Sequence, residues 1–168
     1  MRIIKSLILA VALLACAAPG AARAQTCNNQ FIGAIFNGYT AITVTSLAFG
    51  AYSPASGTAA QSNVQVTAYC TGGLLGATLP PFTLAMSTGG GSFTQRKMTA
   101  GTATLKYQIY TSAADTTVWG DGTGATSTVA GGNNGVSSQT ITGYGVIPVS
   151  QYVTPGSYTD TITVTITY

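Results

Sequence analysis

The chain has 168 residues, no histidine and only 5% charged side chains. That length suits a single domain, and the absence of histidine removes Ser-His-Asp and Cys-His catalysis together with the commonest transition-metal ligand. Six basic against three acidic residues give a formal net charge of +3, but the basic side chains crowd towards the start, so the folded part has to be counted separately.

Arg2 and Lys5 form a basic head, Leu7 to Ala15 an apolar run, and Ala22-Arg23-Ala24 a small-x-small cleavage site. This is the pattern of a secretory signal peptide, and the apolar run is too short to span a bilayer. We expect residues 1–24 to be removed, leaving 25–168 as one exported domain that starts at Gln25, with no membrane insertion of the mature chain. Arg96, Lys97 and Lys106 then balance Asp115, Asp121 and Asp160, a net charge of zero. Such a surface speaks against nucleic acid and anionic membrane as partners. It offers little solubility through repulsion and suits an insoluble assembly.

Cys16 falls in the leader, which leaves Cys27 and Cys70. Two cysteines in an exported chain are expected to form one disulfide. It would close a loop of roughly 43 residues, worth about 4 kcal/mol in the chain-entropy account. The alternative is a lipoprotein anchored through Cys16, for which the bulky Leu14 before Ala15 makes a poor processing site.

No helical period stands out after residue 25, and Thr, Val, Ile and Tyr dominate, with Gly throughout. Phe31-Ile32-Gly33-Ala34-Ile35-Phe36 is apolar but lacks clean period-two spacing. Short strands broken by turn clusters are expected over Ala41–Phe49, Asn63–Cys70, Phe82–Ser87, Thr104–Thr111, Gln139–Val146 and Tyr158–Tyr168. Val64, Val66 and Ala68 alternate with polar residues, as do Leu105, Tyr107 and Ile109; Ile141, Gly143 and Gly145 do so more weakly. The Gly/Thr/Ala/Asn-rich segment 120–135 has room for one short edge strand around Thr126–Val129, and Asn133-Asn134-Gly135 is a hairpin-type turn. The chain closes on the most regular stretch of all. Ile162, Val164, Ile166 and Tyr168 alternate with Thr161, Thr163, Thr165 and Thr167, the signature of a half-buried strand. A strand without a following partner leaves an open edge, and open edges recruit other strands.

Little here supports chemistry. Asp115 and Asp121 are the nearest acidic pair, but Asp121 in Trp119-Gly120-Asp121-Gly122 has the setting of a turn residue rather than of a glycosidase carboxylate. No acidic cluster suits calcium, and Gly89-Gly90-Gly91 lacks the Lys and helix of a phosphate loop. Trp119 is better explained as a core or turn plug than as a sugar platform. Arg96-Lys97 is expected to be a solvated turn, with Arg96 able to pair with Asp121 or Asp160 and pin two loops. We expect no enzyme, no cofactor, no catalytic residue and no metal site.

Seven blocks in order carry a resemblance. They are Phe49-Gly50-Ala51-Tyr52-Ser53-Pro54, Val64–Cys70, Arg96-Lys97-Met98, Tyr107-Gln108-Ile109-Tyr110, Trp119-Gly120-Asp121-Gly122, Tyr144-Gly145-Val146-Ile147-Pro148, and Gly156-Ser157-Tyr158-Thr159-Asp160 with the alternating tail. Together they resemble the spore coat protein U family, which includes the Csu-type subunits of archaic chaperone–usher pili. The resemblance implies an all-β, incomplete immunoglobulin-like sandwich lacking its final strand. It implies a periplasmic pilus chaperone that lends a strand, an outer-membrane usher, and neighbouring pilus subunits joined by strand exchange at the cell surface. Ile162, Val164, Ile166 and Tyr168 would then lie on the terminal strand beside the open groove.

One departure bears on function. Polymerising subunits of this kind carry an alternating apolar donor strand ahead of the first cysteine, whereas only Gln25 and Thr26 precede Cys27 in the expected mature chain. The expectation is a structural subunit of a surface fibre in a terminal or minor position. The alternatives are a non-polymerising, exported spore-coat-like surface protein and a carbohydrate-binding adhesin.

Overall fold

The computed structural model describes residues 25–27, 38–71 and 77–168. Among them are eleven strands and no helix: β1 (Gln25–Cys27), β2 (Gly38–Val44), β3 (Ala60–Thr71), β4 (Phe82–Met86), β5 (Arg96–Ala100), β6 (Ala103–Tyr110), β7 (Val118–Trp119), β8 (Thr126–Ser127), β9 (Val129–Gly131), β10 (Ser138–Ile147) and β11 (Val164–Thr167). The larger sheet runs β1-β2-β3-β10-β6-β7-β8, with β5 also on β6; the smaller runs β11-β4-β9. Pairing is antiparallel except between β7 and β8.

The two sheets face each other over one core, to which β3 gives Val64 and Val66, β6 gives Leu105 and Ile109, β4 gives Leu84 and Met86, and β11 gives Val164 and Ile166. Period-two alternation is what makes this possible, since it places one apolar face of each strand inward. Trp119 is fully buried and its indole N–H donates to the Leu84 carbonyl at 3.0 Å, so it plugs the core and ties the sheets together. Gly143 makes room for it, because a Cβ there would come within 2.9 Å of the indole ring. Gly145 does the same for Leu47 and Phe49. The weak alternation of β10 thus marks where larger side chains from elsewhere need space. The Tyr52 hydroxyl donates to the Pro148 carbonyl and accepts from the Gln151 N–H, both at 2.9 Å, which fastens the 49–54 segment to the end of β10.

Four expected strands coincide with β3, β4, β6 and β10 to within a few residues. The other expectations need correction. The strand expected over Ala41–Phe49 ends at Val44, and the one over Tyr158–Tyr168 forms a ladder only over Val164–Thr167. The single edge strand near Thr126–Val129 is two, β8 and β9, which belong to different sheets. Arg96 is no solvated turn: it starts β5 and is fully buried. Strands β1, β5 and β7 were not legible. Phe31–Phe36 and residues 1–24, expected to be a leader, lie outside the described residues.

Candidate functional site

The site is a slot between the sheets, and backbone pairing defines it. The Ser87 N–H donates to the Thr163 carbonyl at 2.9 Å, in phase with the β4–β11 register. Thr163, Thr165 and Thr167 therefore spend their backbone groups on β4. Those of Ile162, Val164 and Ile166 point the other way, and among the described residues β11 has no second neighbour. Thr159 continues the same side by exchanging two backbone hydrogen bonds with Thr99. Opposite, the Thr45 N–H donates to the Gln65 carbonyl at 3.0 Å, in phase with β2–β3. Ile42 and Val44 consequently present their backbone groups to the slot.

Between these rims runs a groove of about 610 Å³, floored by Val64, Met86, Met98, Tyr107 and Ile109. Val44 on its rim is 40% exposed, unusual for a valine at a core edge. The groove continues into a second hollow of about 710 Å³ that shares Leu47, Phe49, Met98 and Tyr158. Strand edges that have no neighbour among the described residues, on both sides of an apolar floor, fit one kind of occupant, an extended polypeptide.

The terminal residues alternate in burial. Val164 and Ile166 are 2% and 3% exposed, Ile162 and Tyr168 are half-buried, and Thr161, Thr163, Thr165 and Thr167 are exposed. Ile162 and Val164 line the groove. The Tyr168 hydroxyl is buried beside Thr40, and burial raises its pKa.

A buried polar network, missed by sequence reasoning, holds the terminal wall. The Arg96 guanidinium donates to the Ser87 carbonyl through Nε at 3.1 Å and Nη2 at 2.7 Å, to the Trp119 carbonyl at 2.7 Å, and to Gln108 Oε1. Gln108 in turn donates to the Phe93 carbonyl at 2.8 Å, and the Phe93 ring lies 5.7 Å from the guanidinium carbon. Because Arg96 takes the Ser87 carbonyl, the Thr163 N–H donates instead to Ser87 Oγ at 2.9 Å. Burial lowers the Arg96 pKa while Tyr107 and Asp160 act against that; arginine starts so high that it stays charged. Arg96 donates to neutral acceptors here, not to the carboxylates expected as partners.

Asp160 is the second anchor. It accepts from the Gly90 N–H and the Thr161 N–H, both at 2.8 Å, and from the Tyr107 hydroxyl at 2.7 Å. Burial, helped by that hydrogen bond, pushes the Tyr107 pKa well up. Gly89, at φ 61°, leaves the space that Asp160 fills, since a Cβ there would strike the carboxylate. The triple glycine is a cradle for a carboxylate of its own chain. Asp121 is a turn residue, with its carboxylate pKa held down by the Thr123 hydroxyl and backbone N–H. No group of three His, Cys, Asp or Glu able to hold a metal occurs among the described residues. Cys70, opposite Thr40 in β3, is not a free thiol. Cys27 stands opposite Gly38 on the far side of β2.

Fold and site together define an incomplete immunoglobulin-like sandwich whose gap runs between an early strand and the last one. The chain belongs to the Spore Coat Protein U domain family, whose pattern it matches over residues 13–165; it is a structural protein rather than an enzyme. Among solved structures it is similar to the crystal structure of the CsuC–CsuE chaperone–tip adhesion subunit pre-assembly complex from the archaic chaperone–usher Csu pili of Acinetobacter baumannii. The identity is 19% and the TM-score 0.47, over 77% of this chain and 40% of that one. No curated protein matches the sequence.

Proposed function

We propose that this chain is a structural subunit of a bacterial surface fibre of the chaperone–usher kind. In this reading residues 1–24 direct export and are cleaved, and the subunit passes through the periplasm to the cell surface. A periplasmic chaperone fills the groove until an outer-membrane usher exchanges its strand for one from a neighbouring subunit. The observation that carries the proposal is the apolar groove flanked by two backbone rims that have no neighbour among the described residues. Filling it buries four or five apolar side chains, each worth about 1.5–3 kcal/mol, so roughly 6–15 kcal/mol goes unrealised in the isolated subunit. A domain of about 5–15 kcal/mol total stability depends on such an amount.

We propose a terminal or minor position for the subunit, a reading that β1 supports. The residues ahead of Cys27 that would have to reach a neighbour pair instead with β2 of their own domain, Gln25 opposite Thr40 and Thr26 opposite Tyr39. We further propose that Cys27 is the disulfide partner of Cys70. Co-expression with a periplasmic pilus chaperone tests the main reading. A soluble one-to-one complex is expected, with poor yield of the subunit alone. A subunit that accumulates, stable and monomeric, without any chaperone would overturn it.

A further inference from the structure

The two ends of the groove differ. One opens into the second hollow between Phe49 and Tyr158. At the other end β1 already lies on the edge of β2 that the groove exposes, with Gln25 opposite Thr40, Thr26 opposite Tyr39 and Cys27 opposite Gly38. Across from it, the Tyr168 hydroxyl is buried beside Thr40. Each N–H and C=O of a strand edge serves one neighbour, and Ala41 spends its own on β3, so among the described residues the backbone groups left for an incoming strand begin at Ile42.

We propose that β1 is a stop that sets the length and register of the strand the groove accepts. This rests on the strand-accepting function proposed above. The occupant is an uncharged, extended segment of about seven residues, roughly 23 Å at 3.3 Å per residue, coming in from the Phe49–Tyr158 end. It matches the stretch of wall that lines the groove, Tyr158 to Val164, and the opposite rim from Ile42 onward. Asp160 is the one charged side chain lining the groove, and its oxygens are occupied by Gly90, Thr161 and Tyr107. A charge on the inward face of the occupant would find no partner. Register matters because a slip of one residue turns every side chain of the occupant from the floor to solvent. A fixed end wall removes that freedom.

The test uses the mature chain from Gln25 and capped synthetic peptides of alternating Val and Thr, of increasing length. Affinity should rise with length up to about seven residues and then level off. A chain starting at Cys27, which keeps the cysteine but loses most of β1, should move that limit out by about two residues, so that a nine-residue peptide binds about tenfold more tightly than a seven-residue one. In a chain that retains Arg23 and Ala24, extension of the β1 register would set them opposite Ile42 and Ala41, and the limit should move in by about two. Thermal melting of each variant establishes that it is folded; if the shortened chain is not, the extended one decides. Peptide binding with an unchanged limit in the folded variants would overturn the stop and leave the strand-accepting function standing. No binding to any of the chains would overturn both.

Discussion

Arg96 is the one fully buried charge among the described residues, and the terminal wall of the groove leans on it. Replacing it with Met takes this donor from the Ser87 and Trp119 carbonyls and leaves Gln108 Oε1 with the Ile109 N–H alone. Each lost partner costs about 1–3 kcal/mol, so Arg96→Met should lower stability by about 3 kcal/mol or more, seen as a large drop in melting temperature of the chaperone-bound subunit. Lys106, with a solvent-exposed side chain, serves as the control: Lys106→Met should change little. A smaller effect at Arg96 than at Lys106 would show the network to be incidental. Tyr107 gives a pH test. Its folded pKa is raised by burial and by Asp160, so its contribution is complete below the unfolded value near 10 and is lost as pH climbs above it. Stability should fall in alkali, and Tyr107→Phe should flatten the fall that denaturant melts record above pH 10, with Tyr110 and Tyr168, both also raised, supplying what remains. The burial of Arg96 was not legible because its acceptors are backbone carbonyls far away in the sequence. An Arg-Lys pair after a glycine-rich loop has the composition of a turn, and nothing local distinguishes the two.

At the scale of elements, alternation is legible and its interruptions are harder to see. Ile42 and Val44 point inward at even positions, whereas Leu47 and Phe49 do so at odd ones. One strand cannot bury both sets, so the chain leaves β3 after Thr45 and crosses towards the second hollow. That phase change is present in the sequence and argues against one strand over Ala41–Phe49. The split of 126–131 between two sheets had no comparable signal, since small residues there fit either face. The tail allows a direct test of phase. Val164→Asp buries an unpaired carboxylate in the core and should abolish stable export, while Thr163→Asp, on the exposed side, should be far milder; equal loss in periplasmic yield would show that the faces are misassigned. The disulfide is a sharper test of β1. Bridged cysteines have Cα atoms within about 7 Å, less than two flat strand spacings of about 4.8 Å, and β2 runs between Cys27 and Cys70. A Cys27–Cys70 bridge thus requires β1 to curl over the face of β2 and to close the two-residue stagger between Gly38, opposite Cys27, and Thr40, opposite Cys70. Non-reducing peptide mapping of the mature protein should recover that cross-link. Two free thiols would remove it.

The whole molecule is a sandwich that keeps a strand-wide gap, with a net charge of zero after Ala24 and little to hold copies apart in solution. On the proposed function such a subunit accepts a strand, and whether it can also give one decides its place in a fibre. Ahead of Gln25, Ala17-Ala18-Pro19-Gly20-Ala21-Ala22 have no large alternating side chains to plug a groove. Gln25–Cys27 are spent on β2. Phe31-Ile32-Gly33-Ala34-Ile35-Phe36 is the remaining apolar stretch near the start, and its large residues lack the two-residue spacing that alternate pockets demand. A bond from Cys27 to Cys70 would also hold its base close to its own domain. The mature protein, released from its chaperone, should therefore form no ladder of multimers on detergent gels without boiling. If a ladder appears, and disappears when the four large residues Phe31, Ile32, Ile35 and Phe36 are changed to Ser, that stretch is the donor and the subunit is a repeating unit of the fibre. A ladder that survives those changes would place the donor elsewhere in the chain and would equally rule out a terminal position.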